Sequence, residues 1–384
     1  MPPENRRLRI AFVVHDYNRQ IGHSRYVVEL ATRFRQSHDI HVFANTVDPT
    51  DAAGITFHHV VAWRPRALAS ILSFIVPATW AVGSEFDIVH AQGLCGLRHN
   101  VATAHFCQAG WLAALSQLTG GLSWKQRLAG WLTIPLERYA LAKPSTRRVI
   151  AISRKVQDDL AQYYRRRSGV RVIYHGVDLE TFHPRNRAEL RDQVRAELRV
   201  PAQAVLALFV GHLQKGAATA IRAVSQVPEA HLVLVSSSNP EADRAVAVAV
   251  GTADRVRFVP ASPQVHRYFA AADMFVFPTQ YDTFGMVVTE AMAAGVPVVT
   301  NRAAGAAELI THGHDGWLTD SPWDVPAIAA AVSALASNGA LRERMGAAAR
   351  TRVEELTWDR VAEETLAVYR EVVEERAVQA RRRL

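Results

Sequence analysis

The chain has 384 residues, of which 49% are hydrophobic and 21% are charged. This is the composition of a globular protein with enough apolar material for two or three cores, and we expect two domains. The net charge of +8 is compatible with nucleic acid, an anionic membrane or a phosphorylated substrate as the partner. The cysteines, Cys95 and Cys107, have the spacing of neither a redox pair nor a zinc site, so we expect free thiols.

The N-terminal region predicts a cytoplasmic protein. Its first apolar run, residues 10–14, ends at His15 and is too short for the hydrophobic part of a signal peptide. Further along, residues 67–84 hold no charge, and their number is the lower limit for a membrane-spanning helix. Pro77 weakens that interpretation. We predict a helix that covers a sheet, with a helix lying on the membrane surface as the alternative.

Short runs rich in β-branched residues alternate with helical patterns along the whole chain. The predicted strands are residues 9–14, 40–44, 87–91 and 148–152, and then 204–210, 231–236, 256–260, 274–278 and 296–300. This alternation predicts parallel strands joined by crossover helices, and therefore two doubly wound α/β domains. The polar segment 182–189 is the predicted seam between them.

The chain lacks two common nucleotide motifs. No GxGxxG follows a strand and no GxxxxGK[ST] occurs, which disfavours a standard dinucleotide fold and a P-loop. Two doubly wound domains still provide a crevice at the carboxyl ends of their strands, where ligands usually bind. The arginine-rich tail 376–384 has no interleaved aromatic residues, so we expect no nucleic-acid partner.

Residues 274–299 predict a strand, a loop, a helix that begins near Phe284 and Gly285, and a second strand. The N-terminus of such a helix, with its free N–H groups and positive dipole end, suits a diphosphate. Asp282 and Glu290 would bracket about 12 Å of helix, similar to the length of a nucleotide sugar. In this interpretation Glu290 would hold the ribose of the nucleotide sugar, and Asp282 would hold its sugar. The alternative is a capping role for Asp282 and a surface position for Glu290.

The same segment resembles the E-x7-E motif of glycosyltransferase family 4, usually E-P-F-G-x4-E-A-M-A-x-G-x-P-V-V. The shared residues are Phe284, Gly285, Glu290, Ala291, Met292, Ala293, Gly295, Pro297, Val298 and Val299. Asp282 stands where the family has its first glutamate. The resemblance implies that a nucleotide-sugar donor contacts Phe284, Gly285, Met286, Val287 and Glu290.

Further segments match the same family in chain order. They are residues 149–153, 175–184, 302–317 and 358–369. The resemblance implies the GT-B fold, in which two doubly wound Rossmann-like domains face a central cleft. We expect an N-terminal acceptor-binding domain at 1–185 and a donor-binding domain at 186–365. A C-terminal helix at about 366–384 is expected to pack back on the first domain.

The loop after the strand 204–210 contains a tight glycine turn and a lysine before a helix. Lys215 resembles the family's phosphate-binding lysine, which would meet a diphosphate with one mobile cation. Gly211 and His212 are expected to contact the donor as well, although the family usually has arginine where His212 stands. A solvated surface lysine is the alternative.

The first half contains two further candidate sites. The loop from His15 to Gly22 resembles the family's glycine-rich loop, with Gly22 as its second glycine and Ile21 in place of the first. His15 and Asp16 are candidates for contact with the acceptor. His105, in a Thr-Ala-His turn, resembles the histidine beside the transferred sugar, and we expect a catalytic hydrogen-bond donor there. A loop histidine without a chemical role is the alternative.

The resemblance implies a retaining, metal-independent transferase that moves a hexose-type sugar from a nucleotide diphosphate sugar, with UDP as our first choice. The leaving diphosphate would draw the proton from the acceptor, while Lys215 and the helix N-terminus stabilise its charge. Covalent attack by Asp282 is the alternative. We expect no cofactor and no metal. The rival functions are a non-catalytic or degenerate nucleotide-sugar-binding protein and a sugar-nucleotide epimerase.

The acceptor is expected to be a glycan, a lipid-linked molecule or a small molecule. Residues 109–138 mix tryptophans with basic residues, namely Trp111, Trp124, Trp131, Lys125, Arg127 and Arg138. This mixture fits an amphipathic surface that meets a lipid-linked or lipopolysaccharide acceptor. Separately, we expect peripheral contact with an anionic membrane at its inner face. An ordinary helical cover with exposed basic residues fits equally well.

Overall fold

The computed structural model of the protein describes residues 6–19, 22–64 and 67–382. The chain forms two compact units, of which the first combines Met1–Gly176 with Trp358–Leu384 and the second is Val177–Thr357. The chain therefore changes units after Gly176 and again before Trp358. The expected boundary at 185/186 lies within the second unit, and the one at 365/366 lies within the last helix, which is continuous.

The first unit alternates strands and helices in the order that the sequence predicts. Its described strands are β1 (Arg9–Val13), β2 (Asp16–Tyr17), β3 (Asp39–Ala44), β4 (Thr46–Val47), β5 (Thr56–His59), β6 (Ile88–Gln92), β7 (Val101–Ala104), β8 (Arg148–Ala151) and β9 (Val170–Val172). Its described helices are α1 (Gly22–Phe34), α2 (Ala67–Ala81), α3 (Gln108–Thr119), α4 (Trp124–Ala142), α5 (Arg154–Tyr163) and, at the end of the chain, α13 (Trp358–Arg381).

The main sheet of the first unit has the order β5-β3-β1-β6-β7-β8-β9, and all its pairs are parallel. The order reverses direction between β1 and β6, where Ile10 pairs with both Ile40 and Ile88. At such a switch point the carboxyl ends of neighbouring strands leave room for a ligand. The loops after β1 and β6 start there.

Helix α2 covers one face of this sheet, as predicted. Phe74 and Ala78 are fully buried and pack with Val13 and Val89 in one apolar cluster. Burying a phenylalanine side chain contributes about 1.5–3 kcal/mol to folding, which holds the helix despite its internal Pro77. None of the helices in the described ranges combines the length and the apolar character that crossing a bilayer requires.

Helix α13 completes the core of the first unit. Tyr369 is fully buried, and its hydroxyl lies 2.6 Å from Nδ1 of His90 in β6. Arg148 at the start of β8 pairs with Glu371 at 3.0 Å and also with Glu375. The final helix is therefore part of the first unit, held by both apolar and ionic contacts.

The second unit consists of one continuous segment. Its described strands are β10 (Val205–Val210), β11 (Ala230–Ser236), β12 (Val256–Pro260), β13 (Met274–Phe277), β14 (Val298–Asn301) and β15 (Trp317–Thr319). Its described helices are α6 (Asn186–Glu197), α7 (Ala217–Ser225), α8 (Glu241–Ala249), α9 (His266–Ala271), α10 (Met286–Ala293), α11 (Val325–Ser337) and α12 (Gly339–Val353), with 3₁₀ turns at Leu213–Lys215 and Gly305–Leu309.

The sheet of the second unit has the order β12-β11-β10-β13-β14-β15, again with parallel pairs, and it reverses direction between β10 and β13. The buried Asp273 before β13 ties α6 to this sheet. Its carboxylate accepts from Arg195 at 2.5 Å, from Arg191 at 2.9 Å and from the Leu206 N–H at 2.9 Å. Burial alone would raise the pKa of Asp273, but these donors lower it below its usual value.

Candidate active site

The loop between β13 and α10 is fixed by hydrogen bonds to the chain that follows β14. The Asp282 N–H donates to the Ala303 carbonyl at 3.1 Å, and the Asp282 carbonyl accepts from Gly305 at 2.9 Å. A Cβ at Gly305 would collide with the Thr283 carbonyl, so the close approach requires glycine. Gly285, with φ of 86°, then turns the chain into α10. The loop is therefore held in one conformation.

The structure corrects the expected spacing of the two carboxylates. Asp282 lies in the loop, four residues before α10 begins at Met286, and Glu290 lies one turn into the helix. The expectation of about 12 Å of helix between them is therefore wrong, because it treats the loop as helix. Glu290 is also not a surface residue, since only 8% of it is exposed. Its contact with a ribose stays a prediction.

Asp282 forms an ion pair with Lys215. The lysine Nζ donates to Asp282 Oδ2 at 2.6 Å, and Asp282 Oδ1 accepts from the Phe284 N–H at 3.2 Å. Gly216, with φ of 105°, follows the lysine, and a Cβ on it would collide with the Pro278 carbonyl. Glycine at this position therefore lets the two loops at the switch point of the second unit meet.

The other predicted donor-binding residues of the second unit lie on the same two loops. Gly211 follows β10 with φ of 135°, and His212 begins the 3₁₀ turn that carries Lys215. Met286 and Val287 form the first turn of α10, and both are partly exposed. The N–H groups of a first turn have no partner within their own helix and are available to an anion.

A cavity of about 410 Å³, which no sequence motif indicated, lies at the carboxyl ends of β11 and β12. Its lining includes Leu213 and Ser238, and the Leu213 N–H donates to the serine hydroxyl at 3.3 Å. It also includes Arg244 and Phe258, with the guanidinium 4.8 Å from the ring centre. The run of three serines at 236–238 was the available signal, because ligands bind beyond the carboxyl ends of parallel strands.

The candidate residues after β1 belong to the first unit. Gly22 begins α1, whereas Ile21 lies outside the described residues. Asp16, a candidate for contact with the acceptor, accepts from both terminal nitrogens of Arg64, at 2.8 and 2.9 Å, and from the Thr46 hydroxyl. Burial alone would raise the pKa of Asp16, but Arg64 lowers it. Its carboxylate is therefore engaged within the unit.

His105 follows β7 and lies within a group of aromatic rings. Its Nε2 donates to Gln92 Oε1 at 2.9 Å, and its ring stacks on His175 with 5.6 Å between the centroids. The Tyr26 ring stands edge-on at 5.4 Å. Burial, followed by the charges on His175 and His23, holds the pKa of His105 well below its usual value. The imidazole is therefore neutral at pH 7 and offers hydrogen bonds rather than charge.

Gln92 and His23 lie near His105, and no sequence motif pointed to either of them. Gln92 is buried at the end of β6, and within the described ranges its amide nitrogen has no hydrogen-bond partner. Burial lowers the pKa of His23. Burial also lowers the pKa of His15 to about 4, and the centroid of the His15 ring lies 4.2 Å from that of Phe74. Only the order of the strands brings these side chains to one edge, and a single sequence does not reveal that order.

No group of three or more His, Cys, Asp or Glu side chains in the described part of the chain is arranged to hold a metal ion. Cys95 and Cys107 are both buried free thiols, as the spacing predicts, and burial raises the pKa of each to about 12. The independence from metals and cofactors stays a prediction.

Two doubly wound units with switch-point loops of this kind have the architecture of the GT-B fold, and comparisons with known proteins show the family. Residues 21–181 match the family profile described as Glycosyltransferase Family 4, and residues 191–352 match Glycosyl transferases group 1. The D-inositol 3-phosphate glycosyltransferase of Streptomyces avermitilis is 30% identical over 91% of this chain and 82% of its own length. The chain belongs to glycosyltransferase family 4.

Two solved structures support the fold. WaaG, a glycosyltransferase involved in lipopolysaccharide biosynthesis, superimposes with a TM-score of 0.79 at 19% identity, over 93% of this chain and 98% of its own. The Anabaena protein Alr3699/HepE, solved with UDP and glucose, has a TM-score of 0.71 at 19% identity, over 94% of this chain and 98% of its own. At these identities the likeness concerns the fold alone.

Proposed function

We propose that the protein is a retaining, metal-independent glycosyltransferase that transfers a hexose-type sugar from a UDP-sugar to a hydroxyl group. The observation that carries this proposal is the Lys215–Asp282 pair, at 2.6 Å, beside the first turn of α10. A mobile cation next to a helix N-terminus at a sheet switch point suits a diphosphate. The likeness to HepE, which was solved with UDP and glucose, supports UDP as the nucleotide.

In this proposal the second unit binds the donor. Gly211, His212 and Lys215 would meet the diphosphate together with the N–H groups of Met286 and Val287. The buried Glu290 would accept hydrogen bonds from the ribose, because a carboxylate pairs well with two neighbouring hydroxyls. The cavity of about 410 Å³ beside the Leu213 turn would hold the base. Phe284 and Gly285 shape the loop that carries these groups.

The diphosphate would compete with Asp282 for Lys215, because its negative charge is larger and lies at the helix N-terminus. Asp282 would then accept a hydrogen bond from the transferred sugar. The leaving phosphate would draw the proton from the acceptor hydroxyl, while Lys215 stabilises the developing charge. The Phe284 N–H would keep its hydrogen bond to Asp282 Oδ1, so Oδ2 is the oxygen that meets the sugar. Covalent attack by Asp282 is the alternative.

The first unit would bind the acceptor. The neutral His105 already donates its Nε2–H to Gln92, so its other ring nitrogen would accept a hydrogen bond from the sugar or the acceptor hydroxyl. The amide nitrogen of Gln92 would donate one. A small sugar-like molecule that carries a phosphate is our first choice of acceptor, since the relative from Streptomyces avermitilis is a D-inositol 3-phosphate glycosyltransferase. A glycan or a lipid-linked molecule is the alternative. We place the protein in the cytoplasm, at the inner face of the membrane.

The proposal is tested with a panel of UDP-, GDP- and ADP-sugars. We expect one nucleotide to raise the melting temperature selectively, because a ligand that binds only the folded state stabilises it. Lys215→Met is expected to weaken nucleotide binding about 10-fold to 100-fold, as expected for the loss of a charged hydrogen bond. Glu290→Ala should abolish the shift. The matched control is Glu343→Ala, which removes an exposed carboxylate from α12 in the same unit.

Turnover separates a transferase from the rival functions. Transfer to an inositol phosphate or sugar phosphate, with an α-linked product from an α-linked donor, is the expected result, and it should persist in EDTA. Nucleotide binding without transfer to any acceptor would favour a non-catalytic protein, and conversion of the free donor would favour an epimerase. The absence of a melting shift with every nucleotide would contradict the donor assignment.

A further inference from the structure

A cavity of about 690 Å³ lies at the amino edge of the main sheet of the first unit. Val89 near the start of β6, Asn100 before β7 and Arg147 before β8 line it. His105 and Gln92 lie at the carboxyl ends of these parallel strands. The cavity is therefore on the opposite edge from the candidate acceptor site and has no part in it.

The cavity is strongly basic. Its lining includes Arg98, Lys143, Arg147 and Arg376, and it includes no aspartate or glutamate. Arg98 donates to a backbone carbonyl at 3.0 Å, and Arg376 donates to two others. Arg147 approaches Glu375 at 3.7 Å. Carbonyl groups accept hydrogen bonds without neutralising the charge, so the cavity has an excess of positive charge.

Lys143 is the buried member of this group of cations. Only 9% of it is exposed, its ammonium donates to the Leu97 carbonyl, and it lies 5.8 Å from the ring centre of Tyr139. Within the described ranges it has no carboxylate partner. Burial lowers the pKa of Lys143, which reflects the cost of holding this charge away from water. An anion in the cavity would offset that cost.

An exposed apolar surface borders the cavity. We define the α2–α4 face by its exposed side chains, which are Val76, Trp80, Trp124, Leu128, Trp131 and Tyr139. Trp80 is 84% exposed and Tyr139 is 58% exposed, and both also line the cavity. The tryptophans at 124 and 131 are 70% and 75% exposed. The apolar surface and the basic cavity are therefore continuous.

The spacing along α4 puts these side chains on one face. Trp124, Leu128 and Trp131 follow at intervals of four and three residues, which is the repeat of one helix face. The exposed positions between them include Lys125 and Arg127 but no carboxylate. The acidic residue of this helix is buried and accepts the N–H of Gln108 at 2.8 Å instead. The exposed side of α4 therefore combines aromatic side chains with positive charge.

We propose that the α2–α4 face docks on a membrane that contains anionic phospholipid, and that the basic cavity binds a lipid phosphate. Exposed apolar patches mark binding surfaces, and tryptophan and tyrosine prefer the region of the lipid headgroups. Basic residues beside them add attraction to an anionic surface. Charge complementarity thus selects an anionic lipid as the occupant. This surface is independent of the proposed transfer reaction.

Sedimentation with vesicles tests this proposal on the full chain. One set is phosphatidylcholine alone, and in the other about one third of the lipid is phosphatidylglycerol, which gives a strongly negative surface. We expect binding to the anionic vesicles and little to the neutral ones. The double variant Arg98→Glu/Arg376→Glu should reduce binding about 10-fold or more, because each basic residue near an anionic surface contributes about a factor of five. Arg98→Lys/Arg376→Lys should retain it.

The aromatic part is tested separately with Trp80→Ala and Trp131→Ala, each expected to reduce binding several-fold without changing nucleotide affinity. The matched controls are Trp323→Ala and Arg344→Glu, which alter exposed residues of the second unit. Melting temperature identifies any variant that has lost its fold, and all the substituted side chains are exposed.

Three outcomes would overturn the proposal. Equal binding to neutral and anionic vesicles would show that charge does not drive the docking. Undiminished binding by the charge-reversed variant would show that the cavity does not bind the lipid phosphate. Stabilisation by inorganic phosphate without any vesicle binding would assign the cavity to a soluble phosphate compound, and the α2–α4 face would then have another partner.

Discussion

The candidate site residues of the two units differ in their chemistry. In the second unit the two loops at the switch point present a lysine, a carboxylate and a helix N-terminus, and their contacts depend on glycines. In the first unit the corresponding edge presents imidazole rings that burial keeps neutral, beside the Gln92 amide. The second unit therefore offers charged groups on loops in close backbone contact, whereas the first offers neutral hydrogen-bonding groups among aromatic rings.

This difference indicates two different tasks. A diphosphate requires positive charge and close approach of the backbone, which the second unit supplies. A sugar hydroxyl requires directional hydrogen bonds without a fixed charge, which a neutral imidazole and an amide supply. Substitutions in each unit test whether close backbone contacts determine the properties of the second unit and whether the protonation state of histidines determines those of the first.

The largest effect is expected from Gly216→Ala. A methyl group there would collide with the Pro278 carbonyl, and the φ of 105° is unfavourable for alanine. We expect the free energy of unfolding to fall by about 2–4 kcal/mol and nucleotide binding to weaken, because the Lys215 loop must move. Gly251→Ala is the control, since its φ is 70° and nothing lies within 4 Å of the added methyl.

Gly251→Ala should lower the free energy of unfolding by about 1 kcal/mol, because alanine is less favourable than glycine at a positive φ. It should leave nucleotide binding unchanged. Melting temperature and calorimetric titration with UDP measure the two effects. Equal effects of the two substitutions would show that the close approach of the loops is unimportant.

An intermediate effect is expected from pH. The pKa of His15 is lowered to about 4 and that of His175 to about 3, in both cases mainly by burial. Unfolded histidines titrate near 6.5, so below that pH the unfolded state binds more protons and stability falls towards acid. For each such histidine, the free energy of unfolding falls by about 1.4 kcal/mol for every pH unit below 6.5, until the pH reaches the pKa of the folded state.

Replacing His175 by asparagine should remove one such contribution. Melting curves between pH 7 and pH 5 measure it as a shallower loss of stability in the variant. The unsubstituted protein, melted in the same buffers, gives the reference slope. The same slope in both proteins would mean that the folded state accepts the proton at His175 without cost.

The smallest effect is expected from Gln92→Leu. This change removes the acceptor of the His105 Nε2–H while keeping a side chain of similar volume. The loss of one hydrogen bond of about 1 kcal/mol should lower kcat about fivefold with little change in KM for the donor. Gln117→Leu, on the exposed side of α3, is the control. A raised KM with unchanged kcat would instead assign Gln92 to substrate binding.

Much of the fold could be predicted from the sequence, because each strand is a short buried run and each helix has its own pattern. The parallel strands, the helix over 67–81 and the glycine at 285 follow from local residues. The strand order does not follow from local residues, so the sequence did not show which loops lie next to each other. The Lys215–Asp282 pair depends on β10 and β13 being neighbours.

The candidate site residues that the sequence singled out come from motifs, and the features that depend on tertiary packing gave no such signal. Glu290 was recognised from its surroundings, but its burial and the loop position of Asp282 were not, because the sequence does not reveal where the helix begins. Likewise the tryptophans of α4 were noted as a mixture with basic residues. Their exposure on one face became evident only from the structure, since apolar residues are more often buried.

The return of α13 to the first unit also determines the order in which the protein can be built. The second unit is one uninterrupted segment, whereas the first lacks the ring that covers His90 until Tyr369 has been synthesised. On the ribosome, the second unit can therefore complete its core while the first still has an open face. A fragment that stops at Gly176 exposes that face to water, and so it is a poor starting point for studying the acceptor side in isolation.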